Sequence, residues 1–480
     1  MKLSFVKIFI VIVLFSAFLF LSFAEQIDVG SNCRYKSLEE ALQKSVDGDT
    51  LVVNAGIYPG NYIIDKSIVL IGKNNPVIDG QNRGTVLTIE SPNVVIKGFT
   101  IQNTGILLDK EDAGILVTAD NVSIEQNQLK EVLFGIYFRK ADGGILKNNL
   151  IEGKKELDIP RRGDLFRGWY CKKLLIEGNT FKYGRDVILW FSHQSEITGN
   201  NISGARYGLH FMYNSDCRIS GNIMTYNSVG IYMMYSKNLV IENNLMAYNR
   251  GPSGFGIGFK DLDNVDLNKN VIADNRVGIF VDNTPRAVDS YVKYSGNVIA
   301  FNETGIEEMS LLINSYFSGN SFIDNYNQAQ LSNTQQPDNN FWKGNYWSDY
   351  SGYDKDRDGA GDIPYKSEEF VENLIGDKPE LKLFLYSPAI SALNYASKAF
   401  PILQPSPRLI DKSPMTRPVM PAGVPVLKIQ KETGFILLSF LLTIFSALFI
   451  LLFFKTNKLT SGRSGNRHDR IISMNTMRNL

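Results

Sequence analysis

Short apolar runs separated by asparagine and glycine fill the centre of the chain. The runs are two to five residues long, too short for helices, and their side chains alternate between two faces as in strands. An asparagine followed two residues later by an apolar residue recurs at Asn127, Asn149, Asn179, Asn200, Asn222, Asn244, Asn270, Asn297 and Asn320. The most frequent interval is 22 residues. This spacing predicts an all-β fold, a right-handed parallel β-helix, over residues 51–332.

Asparagine suits the corners of such coils. It tolerates left-handed backbone conformations, and stacked side-chain amides can hydrogen-bond from one coil to the next. We expect about twelve rungs, which at ~4.8 Å each give a length of roughly 55–60 Å.

Both ends of the predicted solenoid have their own pattern. Residues 25–50 are predicted as an N-terminal cap, in which an amphipathic helix over 37–46 places Leu38, Ala41 and Leu42 on one face. Such a helix would cover the open edge of the first coil. The regular spacing stops at Asn333, so residues 333–382 are predicted as a C-terminal cap whose aromatic segment 344–350 seals the core.

One interval is exceptional, with 30 residues between Asn149 and Asn179. The extra residues fall within 153–168, a segment rich in lysine, arginine, aspartate and glutamate. We expect a charged loop that protrudes from the coils, either as a solvated excursion or as a docking element.

The N-terminal 24 residues have the pattern of a secretory signal peptide. Lys2 and Lys7 precede an apolar stretch over 8–23, and Ser22 and Ala24 supply the small residues that a signal peptidase reads. An uncleaved membrane anchor is the alternative. Either reading predicts that the solenoid is exported.

The C-terminal part of the chain contains a second apolar segment. Residues 434–454 carry no charge, and at ~1.5 Å per residue they would span a ~30 Å hydrocarbon core. We therefore predict a transmembrane helix over 433–455, with a buried core helix as the alternative. Residues 383–432 are predicted as a helix and an extended proline-rich strut, and 456–480 as a basic cytoplasmic tail. The expected location is the periplasmic or extracytoplasmic face of the cytoplasmic membrane, with a single-pass C-terminal anchor.

Charge and cysteine content exclude several classes of protein. The 50 lysines and arginines nearly balance 49 acidic residues, so no bulk field attracts nucleic acid, and no nucleic-acid partner is expected. Three cysteines, an odd number at no metal-ligand spacing, exclude a disulfide-stapled fold. No phosphate-binding Gly-x-x-x-x-Gly-Lys-Ser/Thr motif occurs, so any ATP would be hydrolysed by a partner.

Register relative to the asparagines places two sets of side chains on the outer face of successive coils. Ten residues before each asparagine stand Trp169, Trp190, Met212 and Met234, and twelve before stand Arg167, Ile188, His210 and Tyr232. On adjacent rungs, His210, Met212 and Met234 would lie within reach of one cation. Thioether and imidazole ligands favour Cu(I), bound transiently, with Trp190 shielding the ion. The alternative is methionine and aromatic packing against a covering loop or partner.

A second candidate metal site follows the last predicted coil. Asp354, Asp356, Asp358 and Asp362 alternate around a glycine turn, as at the start of a calcium-binding loop. The twelfth position is Tyr365 instead of glutamate, which rules out a complete EF-hand. A structural Ca²⁺ site and a merely acidic turn both fit this pattern.

Two sequence motifs resemble the NosD family, the β-helical envelope proteins of nitrous-oxide reductase maturation. They are Arg-Tyr-Gly-Leu-His-Phe-Met-Tyr over 206–213 and Leu-Tyr-Ser-Pro-Ala over 385–389. The resemblance implies a non-enzymatic scaffold that delivers copper for the metal sites of nitrous-oxide reductase. It also implies three partners: the membrane and ATPase subunits of an ABC transporter, a copper chaperone lipoprotein, and the apo-reductase.

Two other functions share the predicted fold. A polysaccharide lyase or uronate epimerase would need clustered Asp, Arg, Lys or His on one face. Candidates are Arg185, Asp186, Lys260, Asp261 and Asp263, but we do not expect them to form one outward cluster with His210. A glycan-binding surface protein is the third possibility.

Overall fold

The structure is a computed structural model that describes residues 24–310, 312–331, 340–367, 384, 387–399, 409–426 and 446. The chain divides into two compact units, Met1–Pro425 and Val426–Leu480. The signal peptide predicted over 1–24 lies outside the described residues except for Ala24. The membrane span predicted over 433–455 also lies outside the described residues, except for Ser446. The whole basic tail predicted over 456–480 lies outside them as well. Among the described residues, no helix is long and apolar enough to cross a membrane.

The first unit is a parallel β-solenoid, which confirms the predicted all-β fold. Each coil passes through three strands, which stack into three parallel sheets. Sheet 1 has fourteen strands: Gln26–Val29, Thr50–Val53, Val69–Gly72, Val95–Lys97, Ser123–Glu125, Ile145–Lys147, Leu175–Glu177, Glu196–Thr198, Ser215–Ser220, Lys237–Glu242, Asp263–Asn268, Val292–Ser295, Ser315–Ser318 and Phe341–Lys343.

The other two sheets continue each coil. Sheet 2 has thirteen strands: Ile57–Pro59, Val77–Asp79, Thr100–Gln102, Gln128–Val132, Leu150–Gly153, Thr180–Lys182, Asn201–Ser203, Ile223–Thr225, Leu245–Ala247, Val271–Ala273, Val298–Ala300, Ser321–Ile323 and Tyr346–Trp347. Sheet 3 has twelve: Tyr62–Ile64, Leu87–Ile89, Ala113–Val117, Phe134–Arg139, Phe166–Trp169, Asp186–Trp190, Tyr207–Met212, Val229–Met234, Phe255–Lys260, Val277–Asp282, Thr304–Glu308 and Asn327–Gln330.

The predicted asparagines form a buried ladder at the corner between sheets 1 and 2. The Asn222 Oδ1 atom accepts hydrogen bonds from the backbone N–H and the side-chain amide of Asn200, each at 2.9 Å. The Asn222 amide in turn donates to Asn244 Oδ1 at 3.0 Å. A second ladder at the corner between sheets 2 and 3 was not predicted; its members are Asn227, Asn249, Asn275, Asn302 and Asn325. Both ladders satisfy buried backbone groups that the turns leave without sheet partners.

Apolar side chains at alternate strand positions fill the interior of the coils. Leu209, Phe211, Ile231 and Met233 are fully buried, as the asparagine register predicts for inward positions. Each such side chain contributes about 1.5–3 kcal/mol by burial. In sheet 3, glycines such as Gly208 and Gly230 lie near the start of successive strands. No side chain fits at Gly208, because a Cβ there would lie only 2.5 Å from the carbonyl oxygen of Gly230.

The N-terminal cap contains the predicted helix, α1, over Leu38–Lys44. Its N-cap residue Ser37 accepts a hydrogen bond from the Glu40 backbone N–H, which stabilises the first turn. Leu38, Ala41 and Leu42 are buried, as predicted. The strand Gln26–Val29 pairs with Thr50–Val53, so the first rung begins before the helix.

The C-terminal end differs from the prediction in two respects. The repeat does not stop at Asn333, because a further rung is formed by Phe341–Lys343 and Tyr346–Trp347, with Asn345 between them. The described part of the predicted strut, 409–426, is not extended away from the coils. Its strand Ile410–Asp411 pairs antiparallel with Tyr365–Lys366, and Val419 exchanges hydrogen bonds with Ser321. A second helix, α2, spans Pro388–Ala399, within the predicted helical segment.

The charged insertion over 153–168 folds back onto the coils instead of protruding. Leu157 packs against a small apolar cluster formed by Ala113, Leu133 and Phe134. The Arg162 guanidinium donates to the carbonyl oxygens of Leu157 and Lys155, each at 2.7 Å. The insertion, which includes the 3-10 turn Ile159–Arg161, is therefore an ordered part of the wall beside sheet 3.

Candidate metal centre

The outer face of sheet 3 carries the two columns that the asparagine register predicts. Direct rung-to-rung pairs join Trp169, Trp190, Met212 and Met234 in one column, and Arg167, Ile188, His210 and Tyr232 in the other. Because Met212 pairs with Met234, their side chains lie on the same face of neighbouring rungs, and His210 is two residues from Met212 on the same strand. The predicted register is confirmed.

His210 is less accessible than the sequence suggests. It lies on the outer side of sheet 3, yet only 6% of its surface is exposed. The Tyr207 ring covers it edge-on, with the ring centroids 5.0 Å apart. The Nδ1 atom lies 3.2 Å from Asp186 Oδ2, whereas the Nε2 atom is buried and has no hydrogen-bond partner among the described residues. One nitrogen of the ring is therefore free to bind a ligand.

Asp186 is the partner of His210 that the sequence does not reveal. Its side chain is buried, its Oδ1 accepts from Arg206 Nε at 3.0 Å, and the same guanidinium also pairs with Oδ2. Burial by itself raises the pKa of Asp186, but hydrogen bonds from His210 and Arg206 outweigh burial, so the net direction is down. The carboxylate is therefore ionised near neutral pH.

A β-bulge explains why sequence register misses this contact. Asp186 pairs with Tyr207, and Ile188 pairs with His210, so the strand Tyr207–Met212 carries one extra residue between these pairs. Strict coil spacing would place Asp186 opposite Gly208 instead. The sequence makes Asp186 a candidate only for an outward catalytic cluster, and its buried contact with His210 was not predicted. An Asp at the start of one strand and an Arg-Tyr pair at the start of the next were the available signals.

Ion pairs extend from Asp186 along the edge of sheet 3. Asp164 is buried between two arginines, Arg167 at 2.7 Å and Arg185 at 3.0 Å. Arg167 also pairs with Glu111 at 2.5 Å. Counting Asp186 and Arg206, three carboxylates face three guanidinium groups. The surroundings of His210 are thus electrically balanced, without a cationic excess that would repel a metal ion.

Trp190 belongs to the methionine column, and Gly258 follows Tyr232 in the histidine column. Trp190 is half-buried beside Met212, and its indole N–H is buried without a hydrogen-bond partner in the described chain. The sequence suggests that Gly258 leaves room for a partner to approach. The structure contradicts this, because a Cβ on Gly258 would lie 2.5 Å from Tyr232 Cδ2. The Tyr232 ring already occupies that space.

An aromatic column flanks the methionines and was not predicted. Phe191 stacks on Tyr170 and Tyr213 at centroid distances of 4.7 and 4.8 Å, and Tyr213 stacks on Tyr235 at 4.9 Å. These rings follow the Trp–Met column by one residue on each rung. The methionines therefore lie next to an apolar wall of stacked rings.

The acidic loop brings three of its four predicted carboxylates together. One oxygen each of Asp354, Asp356 and Asp358 lies within 4.8 Å of the others, close enough for one ion. Asp362 is outside this group, and its Oδ2 accepts the Lys355 backbone N–H at 2.7 Å. The three clustered carboxylates supply the oxygen ligands that Ca²⁺ prefers, and each of them, like Asp362, also accepts one backbone N–H.

Comparison with other proteins places the chain in a family. The family description "Periplasmic copper-binding protein (NosD)" matches residues 154–352. A Pseudomonas aeruginosa protein named "Probable ABC transporter binding protein NosD" is 34% identical over 409 residues, covering 80% of this chain and 92% of its own. A Stutzerimonas stutzeri protein of the same name is 29% identical over 391 residues, covering 76% and 86%.

Solved structures give a weaker similarity. The A-module of the mannuronan C-5 epimerase AlgE6 from Azotobacter vinelandii has 15% sequence identity and a TM-score of 0.46, covering 64% of this chain and 92% of its own. That similarity carries no conclusion about activity. The relatives named NosD match most of both chains. With 34% identity over 92% of the Pseudomonas aeruginosa relative, the chain belongs to the NosD family of periplasmic copper-binding proteins.

Proposed function

We propose that this protein receives Cu(I) and passes it on through a transient site formed by His210, Met212 and Met234. The observation that carries the proposal is the buried Nε2 atom of His210, which has no hydrogen-bond partner among the described residues, on the same sheet face as two paired methionines. Imidazole and thioether ligands suit Cu(I) better than Zn²⁺, Mg²⁺ or Ca²⁺. Copper is the cargo of this site and not a resident cofactor.

The burial of the three side chains suggests an order of contact. Met212 and Met234 are partly exposed, whereas His210, in the neighbouring column, is almost completely buried. An arriving ion would meet the thioethers first and Nε2 last. Trp190, also partly exposed, stands one rung before Met212 and would shield the ion from solvent. Its ring would add a weak cation–π attraction.

The charge of the site favours release as well as capture. All three ligands are neutral, and the surrounding carboxylates and guanidinium groups balance each other. No anionic ligand would hold the ion by direct Coulomb attraction, so the ion and its three ligands together carry a net charge of +1. Such a site suits an intermediate that transfers copper and does not store it.

The names of the relatives support one of the proposed partners, an ABC transporter. The relatives are named ABC transporter binding proteins, and we extend that association to this chain. In the proposed scheme the protein is a non-enzymatic scaffold between a copper chaperone lipoprotein and apo nitrous-oxide reductase. The transporter contributes a membrane subunit and an ATPase subunit, and the ATPase subunit hydrolyses ATP, since this chain has no phosphate-binding loop motif.

The location proposed for this scaffold is the extracytoplasmic side of the membrane, with one C-terminal span. The family description is periplasmic, and the uncharged stretch 434–454 is followed by a basic tail. Protease added to spheroplasts should digest the solenoid and spare a tag placed at the C-terminus. Protection of the solenoid would contradict both the location and the copper role.

Copper content of the reductase in a strain lacking this protein tests the proposed function. We expect the reductase to accumulate without copper and without activity, and the wild-type gene to restore both. A Met212→Leu/Met234→Leu gene should fail, because leucine keeps the volume and apolarity but removes the thioethers. Met233→Leu changes an inward methionine and should restore maturation. Normal copper content in the deletion strain would overturn the proposal.

A further inference from the structure

We propose that Asp186, held in place by Arg206, is the positioning residue that makes His210 Nε2 the ligand atom of the copper site. This inference rests on the proposed function, because it concerns the same site. It adds two residues that neither the sequence register nor the family description assigns. Neither residue touches the ion; both act through the imidazole ring.

The contact between Asp186 and His210 determines which ring nitrogen carries the proton. The Asp186 carboxylate is ion-paired with the Arg206 guanidinium and accepts hydrogen bonds, so the Nδ1 atom, 3.2 Å from Asp186 Oδ2, is the donor. In the neutral ring the lone pair is then on Nε2, the buried atom without a partner among the described residues. Metal-binding histidines in general donate their second ring nitrogen to a carboxylate or carbonyl in this way.

Arg206 and Tyr207 prevent the carboxylate of Asp186 from turning away. Oδ1 accepts from Arg206 Nε at 3.0 Å and from the Tyr207 backbone N–H at 3.3 Å. Oδ2 also pairs with Arg206 Nη2, and it is the oxygen that faces the imidazole. The Tyr207 ring meanwhile packs edge-on against His210. The bulge that pairs Asp186 with Tyr207 creates this arrangement, since it brings the aspartate beside the next rung's histidine.

The same contacts predict what an amide would do at position 186. Two donors, Arg206 Nε and the Tyr207 N–H, face Oδ1, so we expect the amide oxygen of Asp186→Asn to take that place and the NH₂ group to turn toward His210. Arg206 Nη2, which pairs with Oδ2 in the wild type, belongs to a side chain that is 41% exposed and can turn to solvent. The ring would then accept at Nδ1 and carry its proton on Nε2. The lone pair for copper would then no longer be on Nε2, the atom without a partner among the described residues.

The test uses the full-length protein labelled with ¹⁵N-histidine. The chain has three histidines, and His193→Gln and His468→Gln assign the His210 signals by elimination. In the copper-free wild type we expect a protonated Nδ1 and an unprotonated Nε2. In Asp186→Asn we expect the opposite tautomer and at least a tenfold weaker Cu(I) affinity by competition with a chromogenic chelator. Asp186→Glu, which restores a carboxylate, should recover the wild-type tautomer.

Asp164→Asn is the matched control. Asp164 is also buried and paired with two arginines, but it has no contact with His210. This variant should keep the wild-type tautomer. Because it removes one negative charge, as Asp186→Asn does, a loss of Cu(I) affinity shared by both variants reports the charge, and the further loss in Asp186→Asn reports the tautomer. A wild-type ring protonated on Nε2, or an Asp186→Asn variant with an unchanged tautomer and affinity, would overturn the inference.

The outcomes separate this inference from the proposed function. If His210 has the expected tautomer but the wild-type protein does not bind Cu(I), the copper role fails while Asp186 still positions the ring. If copper binds and depends on Met212 and Met234 but not on Asp186, only the inference fails. If circular dichroism shows that Asp186→Asn does not fold, the inference is tested on the wild type, by adding Cu(I) and following the His210 nitrogen resonances. A shift of the His210 Nε2 resonance supports the inference, and a shift confined to Nδ1 overturns it.

Discussion

Asp411 ends the asparagine ladder by accepting two hydrogen bonds from Asn345. Its Oδ2 atom lies 2.9 Å from the Asn345 backbone nitrogen and 2.9 Å from the side-chain amide nitrogen. This is the position that the Oδ1 atom of a next asparagine would occupy. The other carboxylate oxygen accepts the backbone N–H groups of Gly344 and Ser413, each at 3.1 Å. A segment 66 residues further along the chain thus supplies the last rung of the ladder.

Asparagine supplies all the preceding rungs of the ladder, but we predict that at position 411 it will destabilise the protein. Both oxygens of Asp411 face donors, so an amide NH₂ would oppose Gly344 and Ser413 or Asn345. Asp411→Asn should lower the free energy of unfolding by about 2 kcal/mol or more, close to the effect of Asp411→Ala. Urea denaturation measures this. If Asp411→Asn were as stable as wild type while Asp411→Ala was not, the acceptor-only role would be wrong.

Sequence spacing predicts what repeats. The buried ladder, the inward positions Leu209 and Phe211, and the outward pairing of Met212 with Met234 all follow from a coil of nearly constant length. The short cap helix Leu38–Lys44 follows from its amphipathic pattern. These features depend on neighbours one coil apart, so a local pattern contains the information.

Features that break the repeat could not be predicted in this way. The Asp186–His210 contact needs a bulge, which changes the register by one residue without a gap in the pattern. Asp411 reaches Asn345 through a distant segment with no periodicity of its own. The insertion over 153–168 looks solvated by composition, yet Leu157 and the fixed Arg162 anchor it. In each case tertiary contacts override the local signal.

Glu308 makes stability depend on pH. Its side chain points into the core beneath Val281, and its Oε1 has no partner among the described residues. Burial raises the pKa of Glu308 from 4.5 to about 8, against a smaller lowering by a backbone hydrogen bond from Leu312. Between these two pH values the unfolded chain loses the proton while the folded protein retains it. Stability should therefore fall as pH rises, by up to ~1.4 kcal/mol per unit.

Glu308→Gln removes the titrating group while it keeps the shape of the side chain. We expect the variant to lose this component of the pH dependence between about 5 and 8 and to become more stable than wild type at pH 8. Thermal melts at several pH values measure the difference. Parallel curves for the two proteins would show that Glu308 ionises normally in the folded state.

Calcium should stabilise the loop that carries Asp354, Asp356 and Asp358. The loop contacts the C-terminal segment, because the Thr416 backbone N–H donates to the Gly359 carbonyl at 3.0 Å. Chelation with EGTA should lower the melting temperature by a few degrees, and added Ca²⁺ should restore it. In Asp356→Asn/Asp358→Asn the melting temperature should no longer respond to calcium. If chelation leaves wild type unchanged, these residues form only an acidic turn.

The central claim is a Cu(I) site on the outer face of sheet 3, and anaerobic Cu(I) titration of the full-length protein tests it most directly. The comparison is between wild type, Met212→Leu/Met234→Leu, and the control Met224→Leu/Met233→Leu, which changes two fully buried methionines. Wild type and control should bind one Cu(I) with matching affinity, and X-ray absorption should detect sulfur and nitrogen ligands. The outward double variant should remain folded and bind at least tenfold more weakly. If the outward variant bound Cu(I) as tightly as wild type, with the same ligand spectrum, the site would lie elsewhere.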